Sequence, residues 1–297
     1  MTALVLLDYY NFNDYIYTKY PNNYEYKGKV AYIPENTEIS VQNLIELLLI
    51  YSANDAAYIS ALAVSENVDK FLILMNNKAK AYGMNNTNFM NPDGIDEENH
   101  YTTINDLLKL SLKIMDRKEI ISTVSKGNFV SNISGVEKIY DTTNLLLEDG
   151  YVGIKTGWTD KAGLTFIGLN QNNKREILTI VNKSKVDEKK YSHFSDTKLL
   201  YKTSVETFNN YQIISKYNEI FKIRNSNMIE IITSQEDWSE FVNKNNINSI
   251  VFIEYVDRFV TFSFNDFTNK YKISDSKRYV KWKFNPLKLF KFNANQN

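Results

Sequence analysis

Apolar residues recur at helical spacing in three stretches of the first third of the chain. The pattern predicts helices around Val41 to Tyr51, from Asp55 to about Val64 and from Val68 to Tyr82. Gly83 supplies a stop for the third of these helices. The first part of the chain is therefore predicted to be rich in helix.

Two further segments extend this helical region. The apolar run Met1 to Leu7 is followed at once by Asp8 and is too short for the apolar region of a signal peptide, which favours the interior of a buried helix that begins upstream. Asn91 to Gly94 has the composition of a turn. The T-x-x-D pattern at 103–106 resembles a capping box and predicts a helix through about Met115.

Beyond residue 150 the pattern changes to short β-like runs. Tyr151 to Lys155, Leu164 to Leu169 and Glu176 to Val181 are predicted strands, and the last two are joined by a polar turn into a hairpin. A long amphipathic helix from roughly Glu188 to Phe208 would then cover one face of this sheet.

From Asn209 onward, further β-like runs recur. They are Ile213 to Ile214, Ile220 to Ile223, Ile229 to Ile232, Ile250 to Val256 and Phe259 to Phe264. This pattern predicts a small β-rich domain with one helix near Trp238. We therefore expect two domains, at 1–208 and 209–297.

Composition narrows the class of protein. The chain has 297 residues, of which 43% are hydrophobic, enough for a packed core. Lys plus Arg and Asp plus Glu both number 35, so the net charge gives no reason to expect a nucleic-acid partner. The chain has no Cys and only two His, so we expect no disulfide, no metal centre and no cofactor. No run of about 18 apolar residues occurs that would span a bilayer.

Two short motifs carry the candidate chemistry: Ser52-Ala53-Asn54 between two predicted helices, and Lys155-Thr156-Gly157 on a predicted strand. An acyl-transfer site for a terminal peptide carboxylate needs a cation and a hydroxyl for that carboxylate, and an amide for the substrate backbone. The second motif supplies the cation and the hydroxyl, and Asn54 supplies the amide. Gly157 has no side chain, so a substrate can lie against the strand edge. Either motif alone is explained as well by a turn between helices or by a polar strand end.

Together with their flanks, the motifs resemble those of the serine D-alanyl-D-alanine carboxypeptidases, low-molecular-mass penicillin-binding proteins marked by S-x-x-K, S-x-N and K-T-G. The similar stretches are L-L-L-I-Y-S-A-N-D-A-A at 47–57, F-M-N-P-D-G at 89–94 with H-Y-T at 100–102, and G-I-K-T-G-W-T at 153–159. The likeness runs from Met1 to about Phe208. It implies an α+β fold, in which a helical part and an antiparallel sheet form a DD-peptidase/β-lactamase-like domain ahead of the small β-rich domain.

The resemblance implies a role for each motif residue. Ser52 would relay a proton between base and leaving amine, and Asn54 would hold the substrate amide. Lys155 and Thr156 would bind the terminal carboxylate, with the Lys155 ammonium also polarising Ser52. The Trp158 N–H would form one half of an oxyanion hole. The implied reaction removes the terminal D-alanine of peptidoglycan stem pentapeptides through an acyl-enzyme, and β-lactams imitate that substrate.

The resemblance also implies that two catalytic residues lie outside the chain. Met1-Thr2-Ala3 is similar to the M-T-A run that follows S-x-x-K after one intervening residue in the family. The base lysine would lie about two residues before Met1, and the nucleophilic serine about five before it. We expect residues 1–297 to be inactive alone, because Ser52 has no activating base other than Lys155.

Two other segments receive structural interpretations. Asp141-Thr142-Thr143-Asn144 resembles the family segment that precedes K-T-G, and it is predicted to support the site. His100 is interpreted as a turn histidine satisfied by the backbone, with no catalytic role.

The C-terminal tail has two interpretations. Lys277 to Lys291 carries six basic residues and no acidic ones, with four aromatic residues between them. This composition favours either a segment that rests on a membrane surface or an edge strand with protective lysines.

Two other functions stay open. One is a β-lactamase, which the flanks of both motifs favour less than a carboxypeptidase. The other is a non-catalytic relic that binds stem peptides. The intact family protein is expected in the cell envelope outside the cytoplasmic membrane, behind an upstream signal peptide, with the stem peptide as its partner.

Overall fold

The computed structural model divides the chain into two compact units, residues 1–201 and residues 202–297. It describes residues 1–171, 176–186, 188 and 191–208 with their side chains. Within 209–272 it describes the backbone of strands. All residues of the two sequence motifs lie in the first unit.

The first unit begins with a helical region. Its helices are α1 (Thr2–Leu6), α2 (Val41–Glu46), α3 (Asn54–Val64), α4 (Val68–Ala81), α5 (Ile104–Met115) and α6 (Lys118–Val124). A π-helical turn, Leu47–Tyr51, continues α2 towards α3. The short strands β1 (Tyr15–Tyr17) and β2 (Glu38–Ser40) pair antiparallel within the long connection between α1 and α2.

Side-chain caps fix where the helices begin. Ser40 Oγ accepts a hydrogen bond from the Asn43 N–H at the start of α2. At α5, Thr103 Oγ1 accepts from the Asp106 N–H at 3.2 Å, so the predicted N-terminal cap is present. A side-chain cap of this kind stabilises a helix by about 1 kcal/mol, because it satisfies an N–H that has no partner within the helix.

The core of the helical region lies around α2, the π-helical turn and α3. Its fully buried members include Val41, Leu44, Ile45, Leu47, Ala56, Ala57 and Ile59. Helix α1 is buried along its whole length, which confirms the buried helix predicted from Met1 to Leu7. Burying one Leu or Ile side chain contributes about 1.5–3 kcal/mol, so this packing holds the turn between Leu47–Tyr51 and α3 in place.

An antiparallel sheet completes the first unit. A hairpin precedes it, formed by β3 (Asn128–Ile133) and β4 (Val136–Asp141). The sheet consists of β5 (Lys155–Thr159), β6 (Gly163–Asn170) and β7 (Ile177–Ser184), in that spatial order. Helix α7 (Ser192–Thr207) follows, and its Phe194 ring meets Phe166 of β6 edge to face with centroids 5.2 Å apart. The predicted helix thus covers part of the sheet, over shorter bounds than predicted.

The strand predicted from Tyr151 to Lys155 is wrong in its bounds, because β5 begins at Lys155 and ends at Thr159. Gly153 has a φ of +78°, a conformation that glycine adopts readily, and it interrupts the extended course before the strand. The preceding segment still follows β6, since the Ile154 N–H donates to the Ile167 carbonyl at 2.8 Å. The K-T-G residues therefore stand at the start of a strand.

Strands also make up the described part of the chain beyond α7. They are β8 (Phe208–Ile214), β9 (Glu219–Asn225), β10 (Met228–Thr233), β11 (Trp238–Asn243), β12 (Val251–Val256), β13 (Phe259–Phe264) and β14 (Phe267–Lys272). The helix predicted near Trp238 is wrong: that segment is β11, and it pairs antiparallel with β8. Trp, Phe and Val favour a pleated surface, which is the physical reason for a strand here. The tail Lys277 to Lys291 lies outside the described residues.

Candidate active site

The first motif lies in a tight connection between the π-helical turn and α3. Ser52 ends the π-helical turn in a left-handed conformation, with φ 69° and ψ 44°. The Ala53 N–H donates to the Leu47 carbonyl at 2.9 Å, which closes the connection. A side chain in this conformation carries about 1–2 kcal/mol of strain, so the surrounding packing must hold Ser52 in place. The result is a serine hydroxyl at a fixed position beside the start of α3.

The start of α3 holds the loop that precedes it in the chain. The Asn54 side-chain N–H donates to the Lys27 carbonyl at 2.8 Å, and the Asn54 backbone N–H donates to the Lys29 carbonyl at 2.8 Å. The next residue, Asp55, is fully buried and accepts from the N–H groups of Ala31 and Ile33, each at 3.0 Å. These bonds tie residues 27–33 to the motif and orient the Asn54 amide.

The second motif lies on β5, at one edge of the described three-stranded sheet. Gly157 faces Thr165 of β6, and a Cβ added at Gly157 would lie 2.6 Å from Thr165 Oγ1. Thr165 Oγ1 donates to the Gly157 carbonyl at 3.1 Å, so the space that a side chain would need is already used. A side chain at this position would therefore displace the Thr165 hydroxyl from its bond to the strand.

The structure brings the two motifs into contact. Lys155 Nζ donates to Ser52 Oγ at 2.6 Å and to the Thr156 carbonyl at 3.0 Å. Burial, with the positive charge of Lys29 as the smaller cause, lowers the pKa of Lys155 to about 7. The ammonium is thus held between the helical region and the sheet, where a negatively charged ligand would stabilise its protonated form.

The segment predicted to support the site joins both motif-bearing elements. The Thr156 hydroxyl donates to Thr143 Oγ1 at 2.6 Å, and the Thr143 N–H donates to the carbonyl of Ile50, in the π-helical turn. The adjacent Asn144 donates through its side chain to the Tyr151 carbonyl at 3.0 Å. Thr143 therefore links the turn that carries Ser52 to the strand that carries Thr156.

Trp158 follows Gly157 on the edge strand and is 49% exposed. Its backbone pairs in register with Leu164 of β6. The oxyanion role of its N–H stays a prediction.

A serine and a lysine with S-x-x-K spacing do occur in the first unit, at Ser195 and Lys198 of α7. Ser195 is exposed, and Lys198 forms an ion pair with Asp149 at 2.6 Å. Lys155, by contrast, donates to Ser52. The ion pair of Lys198 therefore does not connect Ser195 and Lys198 with the two motifs.

His100 departs from its sequence interpretation. Its Nδ1 is buried without a hydrogen-bond partner, and its ring meets Phe89 edge to face at 5.8 Å. Burial lowers the pKa of His100, against the opposing charges of Glu97 and Asp96. The backbone therefore does not satisfy this nitrogen, and His100 packs mainly as an aromatic ring.

The part of the chain that the structure describes contains neither a metal site nor a membrane-spanning helix. It contains no group of three or more His, Asp or Glu side chains placed to hold a metal ion. No helix there combines the length and the apolar character that crossing a membrane requires.

Sequence reasoning did not identify Asp55 and Lys29, and it predicted Thr143 only as part of the supporting segment 141–144. Asp55 holds the 27–33 loop, Thr143 contacts Thr156 directly, and Lys29 places a second positive charge near Lys155. Asp55 follows Asn54 directly, so its position next to the motif was an available signal. Nothing in the sequence around Lys29 indicates its closeness to a strand more than a hundred residues away.

A helical region that contacts an antiparallel sheet through S-x-N and K-T-G residues is the arrangement of the penicillin-binding class of serine hydrolases. The sequence profile of the peptidase S11 family, described as D-alanyl-D-alanine carboxypeptidase, matches residues 7–185. This match covers more than half of the chain, and the chain belongs to that family.

Individual relatives agree with this assignment. D-alanyl-D-alanine carboxypeptidase DacA of Haemophilus influenzae is 33% identical over 153 residues, which cover 49% of this chain and 38% of that protein. A D-alanyl-D-alanine endopeptidase of Escherichia coli is 29% identical over 219 residues, covering 70% of this chain and 67% of that protein. The chain therefore spans well under half the length of some curated relatives that it matches.

A solved structure confirms the predicted α+β architecture of the first region. The cefotaxime-bound form of Penicillin-Binding Protein D2 from Listeria monocytogenes has a TM-score of 0.59 and 28% identity. The similarity covers 68% of this chain and 82% of that one.

Proposed function

We propose that this chain carries the substrate-binding part of a serine D-alanyl-D-alanine carboxypeptidase that acts on the stem peptides of peptidoglycan. The observation that carries the proposal is the 2.6 Å hydrogen bond from Lys155 Nζ to Ser52 Oγ, which unites two motifs far apart in the sequence. Family membership supports the same function.

Each motif residue has a role that its contacts support. The Lys155 ammonium and the Thr156 hydroxyl would receive the terminal carboxylate of the peptide, since both can donate hydrogen bonds to it. Ser52, bonded to Lys155, would pass a proton to the leaving amine. The Asn54 amide would hold the substrate backbone, because its bond to Lys27 uses only one of its two N–H donors.

Gly157 and Trp158 complete the proposed cleft. With no side chain at Gly157, the substrate backbone can lie along the edge of β5. The Trp158 N–H would stabilise the oxyanion that forms when the scissile carbonyl is attacked. These assignments place the scissile bond between the carboxylate site and Asn54.

The proposed reaction has two steps. A serine oxygen attacks the carbonyl carbon of the penultimate D-alanine, the peptide C–N bond breaks, and D-alanine leaves with a proton on its amine. Water then cleaves the acyl-enzyme ester and regenerates the serine. The resemblance assigns the nucleophile and its base lysine to an S-x-x-K motif before Met1, so we propose that residues 1–297 alone bind the peptide without turning it over.

This proposal is tested with a fluorescent penicillin. Purified residues 1–297 should form no covalent adduct, whereas the same polypeptide preceded by an S-x-x-K segment from a family member, with one intervening residue, should be labelled. A Lys155→Met variant of the extended protein should lose most of the labelling. A stoichiometric adduct with residues 1–297 would refute the proposed inactivity, and an extended protein that is folded but unlabelled would refute the assigned site.

Two further functions are distinguished by the same material. A β-lactamase would hydrolyse penicillin with many turnovers, while a carboxypeptidase would stay acylated and release D-alanine from a peptide substrate. A non-catalytic relic would bind a D-alanyl-D-alanine peptide in both forms of the protein and be labelled in neither. The cefotaxime-bound Listeria relative supports a β-lactam-sensitive site in this chain.

The proposed function determines where the protein acts, and the change of pattern along the chain suggests its domain division. Peptidoglycan lies outside the cytoplasmic membrane, so we propose that the protein acts in the cell envelope. We further propose that residues 1–208 form the peptidase domain and that 209–297 form a separate β-rich domain. Limited proteolysis should then release a stable fragment that ends near residue 208.

A further inference from the structure

Lys29 lies on the loop that the S-x-N motif holds in place. Its carbonyl accepts from the Asn54 N–H at 2.8 Å, and the carboxylate of Asp55 binds the N–H of Ala31 two residues further on. The backbone at Lys29 is therefore fixed on both sides by the first turn of α3. Such a fixed backbone limits the region that the lysine side chain can reach.

The side chain of Lys29 extends towards the site. Its Nζ lies 4.0 Å above the centroid of the Tyr51 ring, and Tyr51 directly precedes Ser52. The lysine is exposed, so a ligand in the cleft can reach it. Its positive charge lowers the pKa of Lys155, which places the two ammonium groups within electrostatic range of each other. In the free protein these two charges repel.

We propose that Lys29 is a second cation of the carboxylate site, and that it makes the site select peptides with a free C-terminal carboxylate over peptides in which the last D-alanine continues as an amide. This inference rests on the proposed function of Lys155 and Thr156. It also addresses a choice that family membership leaves open, because the matched relatives include both a carboxypeptidase and an endopeptidase.

The selectivity follows from charge. A carboxylate between Lys29 and Lys155 relieves their repulsion and offers acceptors to both ammonium groups and to the Thr156 hydroxyl. An amide in the same place carries no charge and leaves the repulsion unchanged. A site with one ammonium would show a smaller preference for the acid.

The test compares two ligands with purified residues 1–297: diacetyl-lysyl-D-alanyl-D-alanine and the same peptide as its C-terminal amide. Dissociation constants are measured by NMR titration at pH 6.5 and low salt. The acid should bind about ten-fold more tightly than the amide, and Lys29→Gln should reduce the affinity for the acid about five-fold while leaving that for the amide unchanged. Lys29→Arg should keep most of the preference.

A matched control is Lys138→Gln. Lys138 is also an exposed lysine, with its Nζ 4.7 Å above the ring of a tyrosine, Tyr140, which itself meets Tyr51 edge to face. This variant removes a lysine charge and a cation–π contact but should leave both affinities unchanged. Equal effects of the two substitutions would overturn the specific role of Lys29.

A pH profile separates an electrostatic role from a structural one. Burial lowers the pKa of Lys29, against the opposing charge of Asp141, and Lys29 in turn contributes to the lowered pKa of Lys155. Binding of the acid should weaken as the pH rises through the pKa of Lys155, and Lys29→Gln should move that midpoint to higher pH. An unmoved midpoint would overturn the inference.

The remaining outcomes are distinct from one another. If the unmodified chain prefers the acid but Lys29→Gln leaves that preference unchanged, the inference fails while the proposed function stands. If acid and amide bind equally to the unmodified chain, the carboxylate role of Lys155 and Thr156 fails together with the inference. If neither peptide binds to the folded chain, the proposed function of the site fails, and the inference fails with it.

Discussion

Lys155 Nζ and Ser52 Oγ lie 2.6 Å apart, although 103 positions separate the two residues in the sequence. The serine is presented by a strained turn at the end of a π-helix, and the lysine by the first residue of an edge strand. This contact joins the two motif-bearing elements, beside the shared core in which Leu110 and Ile114 of α5 pack with Leu169 of β6.

The backbone at Ser52 gives a stability prediction. At φ 69° a glycine is unstrained, whereas an alanine keeps the strain and, like the glycine, loses the bond to Lys155. Ser52→Gly should therefore be about 1 kcal/mol more stable than Ser52→Ala. Urea unfolding of both variants measures the difference.

Ser60 provides the opposite control. It lies buried inside α3, where its Oγ donates to the Ala56 carbonyl at 2.7 Å. In a helix interior glycine is about 1 kcal/mol worse than alanine, so Ser60→Gly should be less stable than Ser60→Ala. If the alanine variant were the more stable one at both positions, the result would contradict the left-handed conformation of Ser52.

Thr143 gives a prediction about ligand binding. Its Oγ1 accepts from the Thr156 hydroxyl in the free protein. When Thr156 turns its proton to a bound carboxylate, Thr143 can reverse the bond and donate. Thr143→Val removes that partner and should weaken binding of a D-alanyl-D-alanine peptide about three-fold, whereas Thr143→Ser should keep the affinity.

Titration calorimetry with the two Thr143 variants measures this effect. Thermal unfolding of each variant should accompany it, because a loss of affinity counts only if the fold is intact. Equal affinities for the valine and serine variants would show that the hydroxyl of Thr143 has no part in binding.

The helices of the site could be predicted because their apolar spacing, caps and stops are local. The Thr103 cap and the buried α1 are clear cases. The bounds of β5 could not be predicted from apolar pattern alone, since the positive φ of Gly153 decides where the strand begins. The segment 238–243 is short, and its pairing with β8 is a non-local contact that outweighs a weak helical pattern.

In the candidate site, too, local features could be predicted and non-local contacts could not. The motif residues could be identified because short sequence patterns carry their chemistry. Thr143 could be predicted only as part of the supporting segment 141–144. Its bond with Thr156 and the position of Lys29 beside Tyr51 could not be predicted, because they depend on tertiary contacts. Strand β3 was missed although its residues alternate between exposed and buried, since six residues are too few to distinguish a strand from a loop by pattern alone.

Asp55 gives a prediction about the 27–33 loop. Both of its carboxylate oxygens accept backbone N–H groups from that loop, and the residue is fully buried. In Asp55→Asn the amide oxygen can still accept from one of the two loop N–H groups. The amide NH2 would face the other loop N–H, so that these two donors would both lack an acceptor. The free energy of unfolding should fall by about 2–3 kcal/mol.

Urea unfolding measures the loss at Asp55, and Asp69→Asn is the matched control. Asp69 also lies in the first turn of a helix, α4, but it is exposed. Its replacement should change stability by less than about 0.5 kcal/mol. Similar losses at both positions would show that the Asp55 effect comes from the helix terminus rather than from the loop.

Lys155 gives a prediction about pH. Burial lowers its pKa to about 7 from the model-peptide value of 10.5, which the unfolded chain keeps. Below pH 7 the group is charged in both states, and the full cost of burying the charge destabilises the fold. Between pH 7 and 10.5 the folded state has released the proton and the unfolded state has not, so this group makes stability rise with pH.

Lys155→Met removes that titration and the cost of burying the charge. The variant should unfold at a higher temperature than the parent at pH 6, by a few degrees, and the gap should shrink as the pH approaches 10. Thermal midpoints across this range measure it, with Lys138→Met as an exposed lysine control that should leave the parent's rise intact. A gap that stays constant from pH 6 to 10 would mean that Lys155 has the same protonation state in the folded and unfolded chains throughout this range, and that burial does not lower its pKa.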